Sequence, residues 1–290
     1  MSKFVEINDL TAIHAICMEL LCTFDKMCRD AGIVYSLAGG TLLGAVRHNG
    51  FIPWDDDIDL FLLREDYEKF LEIYGSKPLK NENYELIYIE NKGPELPFAR
   101  IVDNRTRLLH SGSLSINRVW IDILPLDGIP ETKEVRIEFT RRLKKLRYGR
   151  LLSNSIPFTG KKKWRAFLKT PVAVCMRKTG IRKMIVKKII KESQKFTYSS
   201  VDRVGELVAQ AKVKGTICKN TFRDYVLLDF EGKKFMAMPD YEQYLQECYG
   251  NYMQLPPVKK QRAHGVKLSV DINAYDGELK EKLLKIYNQQ

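Results

Sequence analysis

The sequence predicts an α/β (α+β) protein, a mixed sheet with flanking helices plus a strongly basic helical segment. Three observations lead there. Helical and strand-like apolar spacings alternate along the N-terminal half. Four aspartates in GFIPWDDDIDLFL (50–62) run straight into an apolar stretch. Residues 141–195 hold 19 Lys and Arg against one acid, Glu192, whereas the rest of the chain holds 29 against 35. With 290 residues, 44% hydrophobic and 29% charged, the chain has room for one large domain or two modest ones and is not disordered.

Residues 6–31 place Leu10, Ile13, Ile16, Leu20, Phe24 and Met27 at helical spacing, with Asn8 or Asp9 as cap and Gly32 as stop. Residues 33–37 are a short strand that Gly39-Gly40 breaks, and 41–48 form a short helix entered through that turn. Asn49-Gly50 turns the chain, and Pro53 keeps the next stretch extended. Residues 57–63 read as a strand and 64–74 as a helix with Tyr67, Phe70 and Leu71 inward. Residues 84–90, 98–103 and 118–124 are further strands, the last stopping at Pro125. From 134 to about 195 the pattern is helical, with breaks near Thr170-Pro171 and Thr179-Gly180. Residues 225–230 and 234–238 form a hairpin around Glu231-Gly232, and 240–248 a helix capped by Asp240 and ended by Gly250.

Several classes drop out. No window reaches the roughly 18–20 uninterrupted apolar residues of a membrane span. The opening MSKFVEINDL lacks the apolar stretch of a signal peptide. Cys17, Cys22, Cys28, Cys175, Cys218 and Cys248 form no C-x-x-C pair and fit no zinc module, which predicts reduced thiols in a cytoplasmic protein. The charge asymmetry points to a polyanionic partner, a nucleic acid or an anionic membrane. No helix-turn-helix, zinc finger or aromatic RNA-stacking motif supports a nucleic acid.

Alternation places Asp57 and Asp59 on one side of their strand, with Ile58, Leu60 and Leu62 packed into the core on the other. Two carboxylates that close repel, and burial worsens the conflict. A divalent cation such as Mg2+ resolves it; a solvated acidic loop is the plain alternative for Asp55, Asp56 and Asp57. Two neighbours favour the cation. Upstream, Gly39-Gly40-Thr41 opens a helix, where backbone N–H groups approach a phosphate closely, although Gly-Gly is also an ordinary turn. Downstream, Asp122 lies inside RVWIDIL, where a carboxylate is costly without a partner.

A glycine turn, a D-x-D strand and a later lone acid together resemble the nucleotidyltransferase superfamily. The stretch LAGGTLLGAVRHNGFIPWDDDIDLFLLREDYEKF closely resembles the signature of the LicD family of phosphotransferases. The similarity continues in WIDILPLDGIP (120–130) and YEQYLQECYGNYMQLPPVKKQRAHG (241–265). It implies a nucleotidyltransferase-like catalytic core over 1–132, a basic amphipathic helical insertion over 133–200, and a C-terminal part, 201–290, that completes the site. It further implies Mg2+-dependent transfer of phosphocholine from CDP-choline to a hydroxyl of a cell-surface glycan (a teichoic acid, lipopolysaccharide or capsule precursor), with release of CMP. Mn2+ is an alternative cation. Transfer of ribitol or glycerol phosphate from its CDP donor, and nucleotidyl transfer to a small molecule, are the alternative reactions.

By this resemblance Asp57, Asp59 and Asp122 are the catalytic, metal-holding acids, Asp122 serving as ligand, base or both. Gly39, Gly40, Thr41, Asp55 and Asp56 line the substrate. Arg47, seven positions after Gly40 on the same helical face, is a candidate to fork onto phosphate oxygens, the alternative being a surface salt bridge. Arg100 matches a place where the family tends to carry a basic residue. Arg262 and His264, in RAHG, join the substrate site by their family-like setting. A choline headgroup needs an aromatic face; Trp54 beside the acids is the first candidate, ahead of Trp120 and Tyr35, which also suit the core.

In KKKWRAFLKTPVAVCMRKTGIRKMIVKKIIK (161–191), Trp164, Phe167 and Leu168 share a helical face, as do Ile181, Met184, Ile185 and Ile189. Basic amphipathic helices of this kind lie in an anionic interface. Residues 141–195 are therefore expected to dock peripherally on the inner face of the cell membrane, where a membrane-associated glycan acceptor is met; helices buried against the body are the alternative.

Overall fold

The computed structural model describes residues 4–77, 79, 82–90, 96–110, 117–153, 163–209, 215–261 and 266–290. In chain order its elements begin β1 (Val5–Ile7), α1 (Leu10–Ala31), β2 (Tyr35–Leu37), α2 (Gly39–His48), β3 (Asp59–Leu63), α3 (Arg64–Tyr74), β4 (Tyr84–Ile87), β5 (Ala99–Asp103), β6 (Thr106–His110) and β7 (Trp120–Gly128). They continue α4 (Lys133–Ser153), α5 (Lys163–Lys178), α6 (Ile181–Ser193), β8 (Arg203–Glu206), β9 (Ile217–Cys218), β10 (Val226–Phe230), β11 (Lys233–Ala237), α7 (Tyr241–Tyr249), β12 (Val266–Val270) and α8 (Gly277–Asn288). The mixed α+β class read from the sequence is the class observed.

The longest strand, β7, organises a seven-stranded mixed sheet. One edge of β7 runs parallel to β3, and β2 lies antiparallel beyond it. The other edge pairs antiparallel first with β5, which carries β4, and then with β8, which carries β9. Parallel neighbours need a long crossover, and α3 with β4 to β6 supplies it between β3 and β7. Leu60, Leu62, Ile121 and Ile123 are fully buried, each contributing roughly 1.5–3 kcal/mol by leaving water. Helices α1 and α3 pack against this sheet, α1 through the row predicted from its spacing, with Ile16, Leu20 and Phe24 fully buried.

Asp9 caps α1, accepting from the Thr11 N–H at 2.8 Å, and Gly32 closes it. The hairpin β10–β11 turns through Glu231 and Gly232 at φ 50° and 74°, the left-handed pair that a two-residue turn requires. Asp240 stands in the cap position of α7 without a side-chain cap bond. The chain before α1 is a strand rather than the helix's first turn, because β1 joins β12 and β6 in a separate three-stranded sheet.

Two breaks expected at prolines do not occur. Strand β7 runs through Pro125 to Gly128. Along its antiparallel edge, β5 last pairs at Ile123 and β8 first pairs at Leu126, so Pro125 sits where that edge needs no N–H. Helix α5 likewise contains Pro171. A single lost backbone bond does not end a helix that is packed against α4 and α6. The break at Gly180 is real, with φ 71° separating α5 from α6.

All six cysteines are free. Among the described residues no helix is long and apolar enough to cross a membrane.

Candidate active site

The site forms where β3 and β7 begin. Asp59 is the first residue of β3 and stands opposite Asp122 of β7 in parallel register, while Arg100 of β5 stands opposite Asp122 from the other side. Residues in register share a sheet face, so Asp59, Asp122 and Arg100 form a row across three strands. Glu206 lies on the same face, since it is opposite Leu126, an even step along β7 from Asp122. The Asp122 N–H donates to the Ile58 carbonyl at 2.8 Å, which fixes the register at the strand's entry.

The glycine turn abuts this row. Helix α2 begins in Gly39 and Gly40, and Gly39 has φ 50°, the left-handed region that suits glycine. A Cβ on Gly39 would stand 3.1 Å from Asp59 Oδ2, and one on Gly40 would collide with the Asp55 carboxylate. The Asp59 N–H donates to Thr41 Oγ1 at 2.9 Å, and Ala38 N–H to the Asp59 carbonyl at 3.0 Å. The cap residue of α2, Ala38, makes no side-chain cap bond, and the positive end of the helix dipole faces Asp55 and Asp59, the end at which an anion is favoured.

Asp55, Asp56 and Asp57 bring one carboxylate oxygen each within 4.8 Å of one another. Asp56 is buried, and its two neighbours are half-buried. Asp59 is held well above the usual carboxylate range by burial first, then by the charges of Asp57, Asp122, Asp55 and Glu206. Every donor in this cluster is a hard carboxylate oxygen, a set that fits Mg2+ or Mn2+ and not a soft metal.

Arg100, expected at a phosphate, has its guanidinium engaged by Asp122, Nε to Oδ1 at 2.5 Å and Nη2 to Oδ2 at 3.0 Å. The same group lies 4.4 Å from the Trp120 ring centre and 5.6 Å from that of Phe98. Trp120 thus offers its face to an internal cation. Tyr35 is fully buried and donates its hydroxyl to Asp25 at 2.7 Å, which makes it core. Trp54 is half-buried beside the acids, edge-on to His48 at 6.3 Å. Arg47 donates from Nη1 to the Tyr252 carbonyl at 2.8 Å and ties α2 to the loop after α7. Arg262 and His264 lie outside the described residues.

Three contributors gave no sign in the sequence. His14 of α1 donates from Nε2 to the Asp55 carbonyl at 2.7 Å and stacks on Phe51 at 4.0 Å, so it braces the acidic loop. Burial lowers its pKa against the raising effect of that bond. Glu231 of the hairpin accepts from the Phe51 N–H at 3.0 Å. Tyr249 of α7 is 45% exposed, and its phenol is raised by burial of that end, then by Cys248 and by the charges of Asp59, Asp55 and Asp57. A lone His on an amphipathic helix carries no signal, and within YEQYLQECYGNY nothing singles out one tyrosine from the others.

Comparison with known proteins agrees with this geometry. Residues 32–145 match the family model described as LicD/FKTN/FKRP, nucleotidyltransferase domain. The chain is 30% identical over 260 residues to the lipopolysaccharide cholinephosphotransferase LicD of Haemophilus influenzae, covering 87% of this chain and 94% of that protein. It is 36% identical over 80 residues to the human ribitol 5-phosphate transferase FKRP, covering 28% of this chain and 16% of that protein.

Proposed function

The chain belongs to the LicD family of phosphotransferases, and from that membership and the carboxylate geometry we propose that it transfers phosphocholine from CDP-choline to a hydroxyl of a cell-surface glycan precursor. The observation that carries this reading is the register of Asp59 with Asp122 beside the Gly39-Gly40 turn. The relative matched along almost its whole length, a cholinephosphotransferase, favours choline as the alcohol.

In this reading Asp57 and Asp59 hold Mg2+, Asp122 completes the site from β7, and Asp55 and Asp56 add charge beside them. Held by these acids, such an ion would supply the positive charge that offsets the diphosphate. The N–H groups of the glycine turn take phosphate oxygens. Arg100 keeps Asp122 in one orientation through its two parallel bonds. The acceptor hydroxyl attacks the β-phosphorus in line and gives up its proton to a carboxylate of the row. The bond from the β-phosphorus to the bridging oxygen breaks, and CMP leaves. Trp54 and Tyr249 supply aromatic faces for the quaternary ammonium.

The match to a ribitol 5-phosphate transferase favours a second donor, CDP-ribitol, on the same acids. The exposed lysines of α4 and α6, Lys144, Lys145, Lys183, Lys187 and Lys188, suit peripheral docking on an anionic inner membrane face. Incubation with CDP-choline, CDP-ribitol and CDP-glycerol, Mg2+ and a glycan acceptor tests the function. CMP release from one of them supports the reading. Pyrophosphate release from a nucleoside triphosphate, with no CMP from any CDP-alcohol, overturns it.

A further inference from the structure

The basic segment does not turn all its charge outward. On α4 the inward row is Phe139, Leu143, Arg147, Arg150 and Ser153, in which two arginines occupy core positions. Arg147 is 3% and Arg150 8% exposed. Arg147 donates from Nη2 to the Leu207 carbonyl, next to Glu206. The Nε atoms of both arginines are buried without a hydrogen-bond acceptor, and neither residue makes an ion pair among the described residues. Glu206 turns Oε1 to the N–H groups of Val208 and Ala209 at 2.6 and 2.5 Å. Burial first, then the charges of Arg182 and Arg100, lower the pKa of Arg150 against Glu206 and Asp122, and Arg147, one turn earlier on α4, bonds next to Glu206, which shares the sheet face of Asp122.

A buried guanidinium with no carboxylate of its own is costly, and the cost persists only where something else offsets it. The position is informative. Strand β8 takes over the edge of β7 that β5 leaves, so this cluster lies across Asp122 from β3 and the glycine turn. Asp122 itself is already satisfied by Arg100. We infer that Arg150, supported by Arg147 and Arg182, is a second anion-binding site that takes a phosphate oxyanion of the donor's diphosphate opposite the glycine turn. The inference rests on the proposed function for the identity of the donor, but the chemistry it names, a diphosphate, is measured without turnover.

The test is calorimetric titration of the full chain with inorganic pyrophosphate and with CDP in the presence of Mg2+, for wild type and Arg150→Gln. Binding should weaken at least tenfold in Arg150→Gln, while the thermal midpoint stays equal or rises because an unpaired buried charge is gone. Affinity within twofold of wild type in a folded variant overturns the inference. So does a lowered midpoint with unchanged affinity, which would mark a structural arginine. Should Arg150→Gln fail to fold, Arg150→Lys keeps the charge but not the fork and should weaken both probes at least threefold; wild-type affinity there is again fatal. Unchanged CDP affinity with lost sedimentation on phosphatidylglycerol vesicles would assign the cluster to a lipid headgroup and also overturn it. Diphosphate binding through Arg150 without CMP release from any CDP-alcohol would sink the proposed function alone.

Discussion

Asp59 and Asp122 stand directly opposite one another on parallel strands, and their surroundings differ. Asp122 is matched by the guanidinium of Arg100, whereas the charges acting on Asp59 are those of Asp57, Asp122, Asp55 and Glu206. One carboxylate is oriented by a fixed partner, and the other stands in a crowd of like charge that a cation or a proton relieves.

Asp59→Asn should therefore separate stability from activity. Removing one charge from the crowd leaves the unfolding midpoint in chelator unchanged or raised. CMP release from the productive CDP-alcohol falls by about 10²–10⁴-fold, the range for losing a group that acts on the reacting atoms. A destabilised variant with near-normal turnover would contradict this role for Asp59.

Arg100→Ala should do the opposite. It strands Asp122, whose side chain is 10% exposed, and removes the cation from the Trp120 ring. Breaking such a pair from one side costs about 3 kcal/mol. Urea titration reads the loss, and Arg100→Ala with Asp122→Asn should recover part of it. If the double variant is no more stable than the single, the pair is not what holds Arg100.

His14 gives the acid limb of the stability profile a specific source. Its folded pKa is lowered, so between the unfolded value of 6.5 and the folded value only the unfolded chain gains the proton. The contribution is complete above 6.5 and is lost as pH falls through the folded pKa. Urea unfolding from pH 8 to pH 5 should show wild type losing more stability than His14→Gln. Equal slopes would mean that His14 titrates alike in both states.

Much of this site was legible because its signals are local. The Gly39-Gly40 helix start, the strand that opens at Asp59 (two residues later than the 57–63 read from the sequence, leaving Asp57 before it) and the caps of α1 each depend on residues a few positions apart. What escaped depends on distant chain. Spacing shows that Asp122 needs a partner but not that register makes the partner Arg100, 22 residues earlier. The sheet β1–β12–β6 joins short strands from the two ends of the sequence to a third at 106–110, none periodic enough to stand out. Composition reads 141–195 as one basic face, yet Arg147 and Arg150 turn inward, because their helix packs against the Leu207 loop.

The outward lysines carry a separate expectation. Lys183→Glu, Lys187→Glu and Lys188→Glu together should abolish sedimentation with phosphatidylglycerol vesicles at physiological salt and leave turnover on a soluble acceptor unchanged. Lipid-independent sedimentation, or none by wild type, would rule out membrane docking through these helices.

The convergence of the carboxylates on one cation is tested most directly by Mn2+ binding, measured through loss of the free-ion electron paramagnetic resonance signal. Wild type should bind the ion, more tightly with CDP present, and Asp57→Asn and Asp59→Asn should each weaken uptake at least tenfold. Uptake by both folded variants indistinguishable from wild type would contradict a shared cation at these acids.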